Sequence, residues 1–294
     1  MSQDESPPKV AFALSGGGSL GAVQVGMIRA LYERGIHPDL VVGTSAGAIN
    51  ASYIASHPPS LDTANALAEI WKRLSTLDVF PFRPVRATLA LTGLRNYLVS
   101  SQALRQLIEE HLPIGRLEDA DVPLVVIATD LMSGEELELS QGPAVDAVLA
   151  SASIPGVFPP VRWGDRVLVD GGVSNNTPLM PAVTAGAERV YVLPTGMACG
   201  LRQPPRGSLG VLMQSLSLLV MQRLIVEVEL LQERTQIIVL PPPCPIETAP
   251  VDFGDGPQLM ARGHEAAQRY LDRLDAGDVE APLRLRLHSH YGDH

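Results

Sequence analysis

Gly43-Thr44-Ser45-Ala46-Gly47 sets a serine between an apolar run, Leu40-Val41-Val42, and a stretch that reads as a helix, Ala48 to Ala55. A glycine two positions away on each side lets the backbone turn sharply and a neighbouring segment come close, so the hydroxyl of Ser45 is lifted clear of a strand end. The helix start beyond it offers free N–H groups and a partial positive charge that favour a nearby oxyanion. This is the chemistry of a nucleophilic serine, although G-x-S-x-G also arises by chance in chains rich in glycine and serine. Two other stretches carry groups that such a serine needs. In Ser15-Gly16-Gly17-Gly18-Ser19-Leu20-Gly21, no side chains shield the N–H groups of Gly17 and Gly18, which can point two donors into one anion-binding space. In Asp170-Gly171-Gly172, a carboxylate followed by two glycines can approach another loop, as a general base must; a plain turn aspartate before glycines is the commoner use of the pattern.

Three uses compete for the glycine loop. A nucleotide phosphate loop fails, because Ala22-Val23 stand where a lysine and a hydroxyl are needed. A dinucleotide loop matches G-x-G-x-x-G through Gly16, Gly18 and Gly21 but wants an acidic residue at the end of the second strand, and Asp39 lies at that strand's start. An oxyanion hole has a partner: in a parallel sheet the first two strands end on one edge, so Gly17 and Gly18 would face Ser45.

The elements that must position these groups follow from periodicity and punctuation. Val10 to Leu14 reads as a strand, Ala22 to Arg34 as a helix, Pro123 to Thr129 as a strand with Glu136 to Leu139 pairing beside it, and Ala144 to Ser153 as a helix. Val161 to Trp163 and Arg166 to Val169 form a hairpin across Gly164-Asp165; Thr177 to Gly186 is a helix, and Arg189 to Pro194 and Ile237 to Leu240 are strands. Leu209 to Gln232 is a long apolar helix with Leu212, Leu216, Leu219, Leu224, Val228 and Leu231 near helical spacing. A cover for the sheet suits it better than a membrane-surface role, since its polar face has few basic residues. Gln258 to Leu274 closes the fold as a helix. Between residues 62 and 112 lies a less regular lid section with helices at Ala64 to Leu74 and Gln102 to Leu112. Its Trp71, Phe80, Phe82, Leu89, Leu91 and Leu94 fit a core better than an acyl pocket. Alternating strands and helices imply an α/β layer fold with a mainly parallel sheet.

The chain's 294 residues, 46% apolar and 18% charged, suit one globular domain over residues 9–275, with a flexible leader at 1–8 and a flexible tail at 276–294. The tail's His288, His290 and His294 suit a solvated terminus better than a metal site. A net charge of −10 argues against nucleic acid as a partner and against strong attraction to anionic lipid. The longest charge-free run, Gly207 to Gln222, is too short to span a bilayer, so the expectation is a cytoplasmic protein whose membrane contact is peripheral. Two cysteines, Cys199 and Cys244, fit a reducing compartment and do not by themselves indicate a disulfide.

In this order, Gly16-Gly17-Gly18-Ser19-Leu20-Gly21, Gly43-Thr44-Ser45-Ala46-Gly47 and Asp170-Gly171-Gly172 resemble the three motifs of the patatin-like phospholipases, acyl hydrolases that use a Ser-Asp dyad. The resemblance runs from Val10 to about Leu274 and extends to Ser153-Ile154-Pro155-Gly156-Val157-Phe158-Pro159-Pro160 and Asn175-Asn176-Thr177-Pro178. It implies a three-layer α/β sandwich with a mainly parallel central sheet. It implies Ser45 as nucleophile, Asp170 as general base, an oxyanion hole from Gly16, Gly17 and Gly18, and supporting roles for Gly21, Gly43, Gly47, Gly171 and Gly172. The implied substrate is a carboxylic ester of a lipid, with no metal or cofactor, and activity should fall in acid as Asp170 protonates. Leu20 stands where many members carry a basic residue, which weakens the case for a phospholipid and leaves the acyl chemistry intact. Two rival readings remain: an α/β-hydrolase triad with His264 as base, and a catalytically silent lipid-binding protein of the same fold.

Overall fold

The computed structural model describes residues 9–80, 97–196, 207–246 and 248–279. Phe82, Leu89, Leu91, Leu94, Cys199 and the histidines of the tail lie outside them, as does the leader. Strands β1 (Val10–Leu14), β2 (Leu40–Thr44), β3 (Leu124–Asp130), β4 (Glu136–Leu139), β5 (Val161–Trp163), β6 (Arg166–Asp170), β7 (Arg189–Leu193) and β8 (Gln236–Val239) form a single sheet. Its helices are α1 (Gly21–Glu33), α2 (Ala46–Ala55), α3 (Leu61–Arg73), α4 (Thr76–Val79), α5 (Gln102–His111), α6 (Ala144–Ser151), α7 (Leu179–Thr184), α8 (Gly207–Leu231) and α9 (Gly256–Asp275).

The strands β3, β2, β1, β7 and β8 run parallel in that order, while β4 and β6 pair antiparallel with β3, and β5 extends β6. The parallel strands are short apolar runs because both faces are covered. In β1, Phe12 and Leu14 point into a large core shared with α1, α2, α3, α5, α6 and α9. Ala11 and Ala13 point the other way, beneath Leu179 and Ala182 of α7 and Met221, Leu224, Val228 and Leu231 of α8. The result is the expected three-layer α/β sandwich.

One expectation needs correcting. Along α8, Leu224, Val228 and Leu231 are buried, but Leu216 and Leu219 are 47% and 66% exposed. Geometry explains it: at about 1.5 Å per residue the helix is about 37 Å long, whereas a five-residue strand covers about 17 Å. The C-terminal half of α8 therefore saturates the sheet, and the N-terminal half runs past it. Among the described residues no helix is long and apolar enough to cross a membrane. Cys244 is engaged in a disulfide, which the cysteine count had not indicated.

Candidate active site

Ser45 occupies the turn between β2 and α2 with φ 54° and ψ −123°, the one non-glycine residue with positive φ among the described residues. Such a backbone costs of order 1–3 kcal/mol and persists only where its surroundings over-determine it. Here they do. The Ser45 N–H donates to Ser151 Oγ at 2.9 Å, its carbonyl accepts from the Ala48 N–H at 2.9 Å, and the preceding Thr44 Oγ1 donates to the Asn175 carbonyl at 2.8 Å. The flanking glycines are required by close approach. A Cβ on Gly43 would sit 2.5 Å from the Gly47 carbonyl oxygen, and one on Gly47 would strike the carbonyls of Leu14 and Ser15. Helix α2 thus lies directly on the ends of β1 and β2, which holds the serine at the edge of the sheet.

The Ser45 hydroxyl donates to Asp170 Oδ2 at 2.6 Å, across 125 positions of sequence. Strand register brings the two together. Along β3, β2 pairs with residues 124–127 and β6 with 128–130, while β4 spans 126–129. Because β4 overlaps both and a strand has two edges, β2 and β6 share the opposite edge of β3, end to end. Thr44 pairs with Ile127 and Asp170 with Ala128, so the last residue of β6 meets the first residue beyond β2. Gly171 then turns so tightly against the Ile127 carbonyl that it has no room for a side chain.

Asp170 is buried, its Oδ1 accepting from the Gly172 N–H at 2.7 Å. Burial pushes its carboxyl up to about 6, opposed by the hydrogen bonds from Ser45 and Gly172. Its main-chain groups are fixed as well: the N–H donates to the Ser153 carbonyl at 2.9 Å, and its carbonyl accepts from Thr129 Oγ1 at 3.0 Å.

The glycine loop lies on the other side of the serine. A Cβ on Gly16 would lie 3.0 Å from Ser45 Cβ and 2.5 Å from Asn176 Oδ1. The Gly16 N–H donates to the Asn176 carbonyl at 2.9 Å, so the expectation of three loop donors narrows to two. Ser19 and Leu20 N–H groups are also engaged, with Pro250 and Gly17 carbonyls, which leaves those of Gly17 and Gly18 without a protein acceptor among the described residues. Gly18 has φ 58°, a conformation that suits glycine. Gly21 is pressed against the Trp71 ring. Leu20 is partly buried against the apolar core.

Behind Ser45 and Gly18 opens an apolar pocket between α2, α3 and α5, its walls including Ile49, Leu67, Trp71, Leu104, Ile108 and Phe158. The sequence had favoured a core role for Trp71 and Phe80; both belong to the core and both line this pocket, where Trp71 stacks on Phe253 and Phe80 on Phe158. Among the described residues no Lys, Arg, Asp or Glu lines it.

His264 is placed elsewhere. Its Nε2 meets Glu33 Oε2 at 2.7 Å, where α9 crosses α1, and it does not line the pocket. Asp39, the acid that a dinucleotide loop would want, accepts from the Val10 N–H at 2.8 Å at the far end of the sheet. Sequence reasoning missed Ser151, Thr129 and Thr195, whose hydroxyls hold the backbones of Ser45, Asp170 and Gly16. No local pattern marks them, since each acts on a residue far away in the chain.

The family model for patatin-like phospholipases matches residues 12–183. An uncharacterized NTE family protein of Mycobacterium tuberculosis is 30% identical over 183 residues, which cover 62% of this chain and 48% of that protein. Patatin-like phospholipase domain-containing protein 7 of Rattus norvegicus is 31% identical over 189 residues, covering 64% of this chain and 14% of that protein. The chain thus spans about half the length, or less, of these curated relatives. Among solved structures, VipD from Legionella pneumophila aligns with a TM-score of 0.46 at 17% identity, covering 92% of this chain and 67% of that one. Human GIVD cytosolic phospholipase A2 aligns with a TM-score of 0.46 at 12% identity, covering 92% and 59%.

Proposed function

The chain belongs to the patatin-like phospholipase family, and from that premise we propose that it is a serine acyl hydrolase that cleaves carboxylic esters of lipids through a Ser45–Asp170 dyad. The observation that carries the reading is the 2.6 Å hydrogen bond from the Ser45 hydroxyl to a buried Asp170 carboxylate beside an apolar pocket. In this mechanism Asp170 takes the hydroxyl proton as Ser45 Oγ bonds to the ester carbonyl carbon, and the carbonyl oxygen becomes an oxyanion held by the Gly17 and Gly18 N–H groups. The C–O bond to the alcohol breaks, the alcohol leaves with the proton from Asp170, and Ser45 keeps the acyl group. Water then attacks the acyl-enzyme, again giving a proton to Asp170; the bond from Ser45 Oγ to the acyl carbon breaks, Ser45 takes that proton back from Asp170, and the fatty acid is released. Burial suits Asp170 to this work. Holding its pKa at about 6 makes it a better base than a solvated carboxylate while leaving it ionised at neutral pH.

The acyl chain would occupy the pocket, and the alcohol part would face outward, reached from a lipid surface by peripheral contact. A mostly apolar lining, without Lys, Arg, Asp or Glu among the described residues, and Leu20 in the glycine loop favour the acyl chain over the head group as the feature recognised. The deciding experiment treats the wild type, Ser45→Ala and Asp170→Asn with an alkyl fluorophosphonate and with nitrophenyl esters, phospholipids and glycerides. Labelling at Ser45 and ester hydrolysis lost in both variants is the expected result. Wild-type protein that neither labels nor hydrolyses any of these substrates would make the chain a silent lipid-binding relative.

A further inference from the structure

Three buried side chains with no part in the proposed chemistry form one hydrogen-bonded relay. Trp71 Nε1 donates to Asn50 Oδ1 at 2.8 Å. Asn50 Nδ2 donates to Gln24 Oε1 at 2.9 Å and to the Gly21 carbonyl at 3.0 Å. Gln24 Nε2 donates to the Ser15 carbonyl at 2.8 Å and the Leu193 carbonyl at 2.9 Å. Gln24 and Asn50 are both 0% exposed. Each amide uses both N–H groups and its carbonyl, so neither can be flipped without setting donor against donor. A buried network satisfied to that degree is rigid, and loss of one member strands the others.

What the relay joins is more telling than its completeness. Ser15 and Gly21 are the two residues that bracket the glycine loop, and theirs are two of the three carbonyls it grips, the third being that of Leu193 on β7. Asn50 rides on α2, the helix that begins at the Ser45 turn, and Trp71 is a wall of the pocket that also holds Gly18 and Ser45. The Ser15 carbonyl shares a peptide plane with the Gly16 N–H, so fixing one orients the entry to the loop.

We propose that Asn50 is a positioning residue: through Gln24 and Gly21 it fixes the oxyanion loop, and through α2 it ties that loop to the nucleophile. The proposal rests on Ser45 being the nucleophile. Oxyanion donors act only where the charge develops, and a misplacement of about 1 Å can cost on the order of 100-fold in rate. Asn50 therefore matters to turnover although it touches no substrate.

The test compares the wild type with Asn50→Ala on nitrophenyl butyrate. Active sites are counted by the endpoint of alkyl fluorophosphonate labelling, so that rates are expressed per reactive serine. The expected result is kcat per labelled site lower by on the order of 100-fold, with KM within a few-fold of wild type and the acid limb of the pH profile unmoved, since Asp170 lies outside the relay. A purely structural asparagine would lower the number of labelled sites and leave kcat per site unchanged; that result overturns the proposal. If Asn50→Ala does not fold, Asn50→Asp keeps the shape and the acceptor for Trp71 Nε1 and removes the N–H groups that reach Gln24 and Gly21. It should lower kcat per site in the same direction, and unchanged kcat per site there overturns the proposal equally. Failure of the wild type to label or turn over would instead strike the assignment of Ser45 itself.

Discussion

Asp170 is held at a cost. Its folded pKa of about 6 lies above the ordinary 3.8 because burial disfavours the charged form. A group raised in this way contributes stability that is present below the unfolded value and is lost as pH rises through the folded one. The difference is about 2 pK units, or about 3 kcal/mol of destabilisation at neutral pH and above. Asp170→Asn keeps the shape and removes the charge, so it should melt higher than the wild type at pH 8 and match it at pH 4, by differential scanning calorimetry. The same variant should lose between about 10² and 10⁴-fold in ester hydrolysis. An equal or lower melting temperature at pH 8 would mean that the carboxylate is not desolvated. For the same reason the acid limb of kcat/KM should have its midpoint near pH 6; a midpoint near 4 would count against a buried Asp170 as base.

At the scale of elements, two junctions matter. The first is the tail-to-end meeting of β2 and β6 on one edge of β3, which puts the serine and the carboxylate in contact. Gly171 makes it possible by lying against the Ile127 carbonyl. Gly171→Ala should push β6 away, lowering activity steeply while circular dichroism shows the secondary structure intact; full activity would show that the junction tolerates a side chain. The second is α8, one helix with two environments. Truncating buried Leu224 to Ala should cost about 2–5 kcal/mol in urea unfolding. The same change at Leu219, 66% exposed, should fall within about 0.5 kcal/mol. Similar losses at both positions would mean that the N-terminal half of α8 is covered in solution.

For the molecule as a whole, the larger helical layer does two jobs. Helices α2, α3 and α5 complete the core on one face of the sheet and leave between them the pocket that opens at Ser45. Core and pocket are therefore one packing problem, and if the pocket takes the acyl chain as proposed, chain length should be set by core-type side chains. Filling the pocket with Ile108→Trp should reduce hydrolysis of long-chain nitrophenyl esters at least tenfold more than that of the acetate. Equal losses on both would place the acyl chain elsewhere.

The amino-acid order by itself determined the strand–turn–helix units, their alternation into an α/β fold, and three glycine-marked motifs. These depend on local physics: which backbones tolerate a tight turn, and which apolar spacing suits a helix or a strand. It also put the candidate nucleophile at a helix start, where Ser45 is found. It could not determine that Gly16 already gives its N–H to Asn176, that His264 is held by Glu33, or that half of α8 outruns the sheet. Nor could it set the pKa of Asp170, which burial governs. Above all, the contact between Ser45 and Asp170 was decided by tertiary structure, because it rests on the register of two strands against a third, β3, and no segment encodes the offset of the partner it will meet.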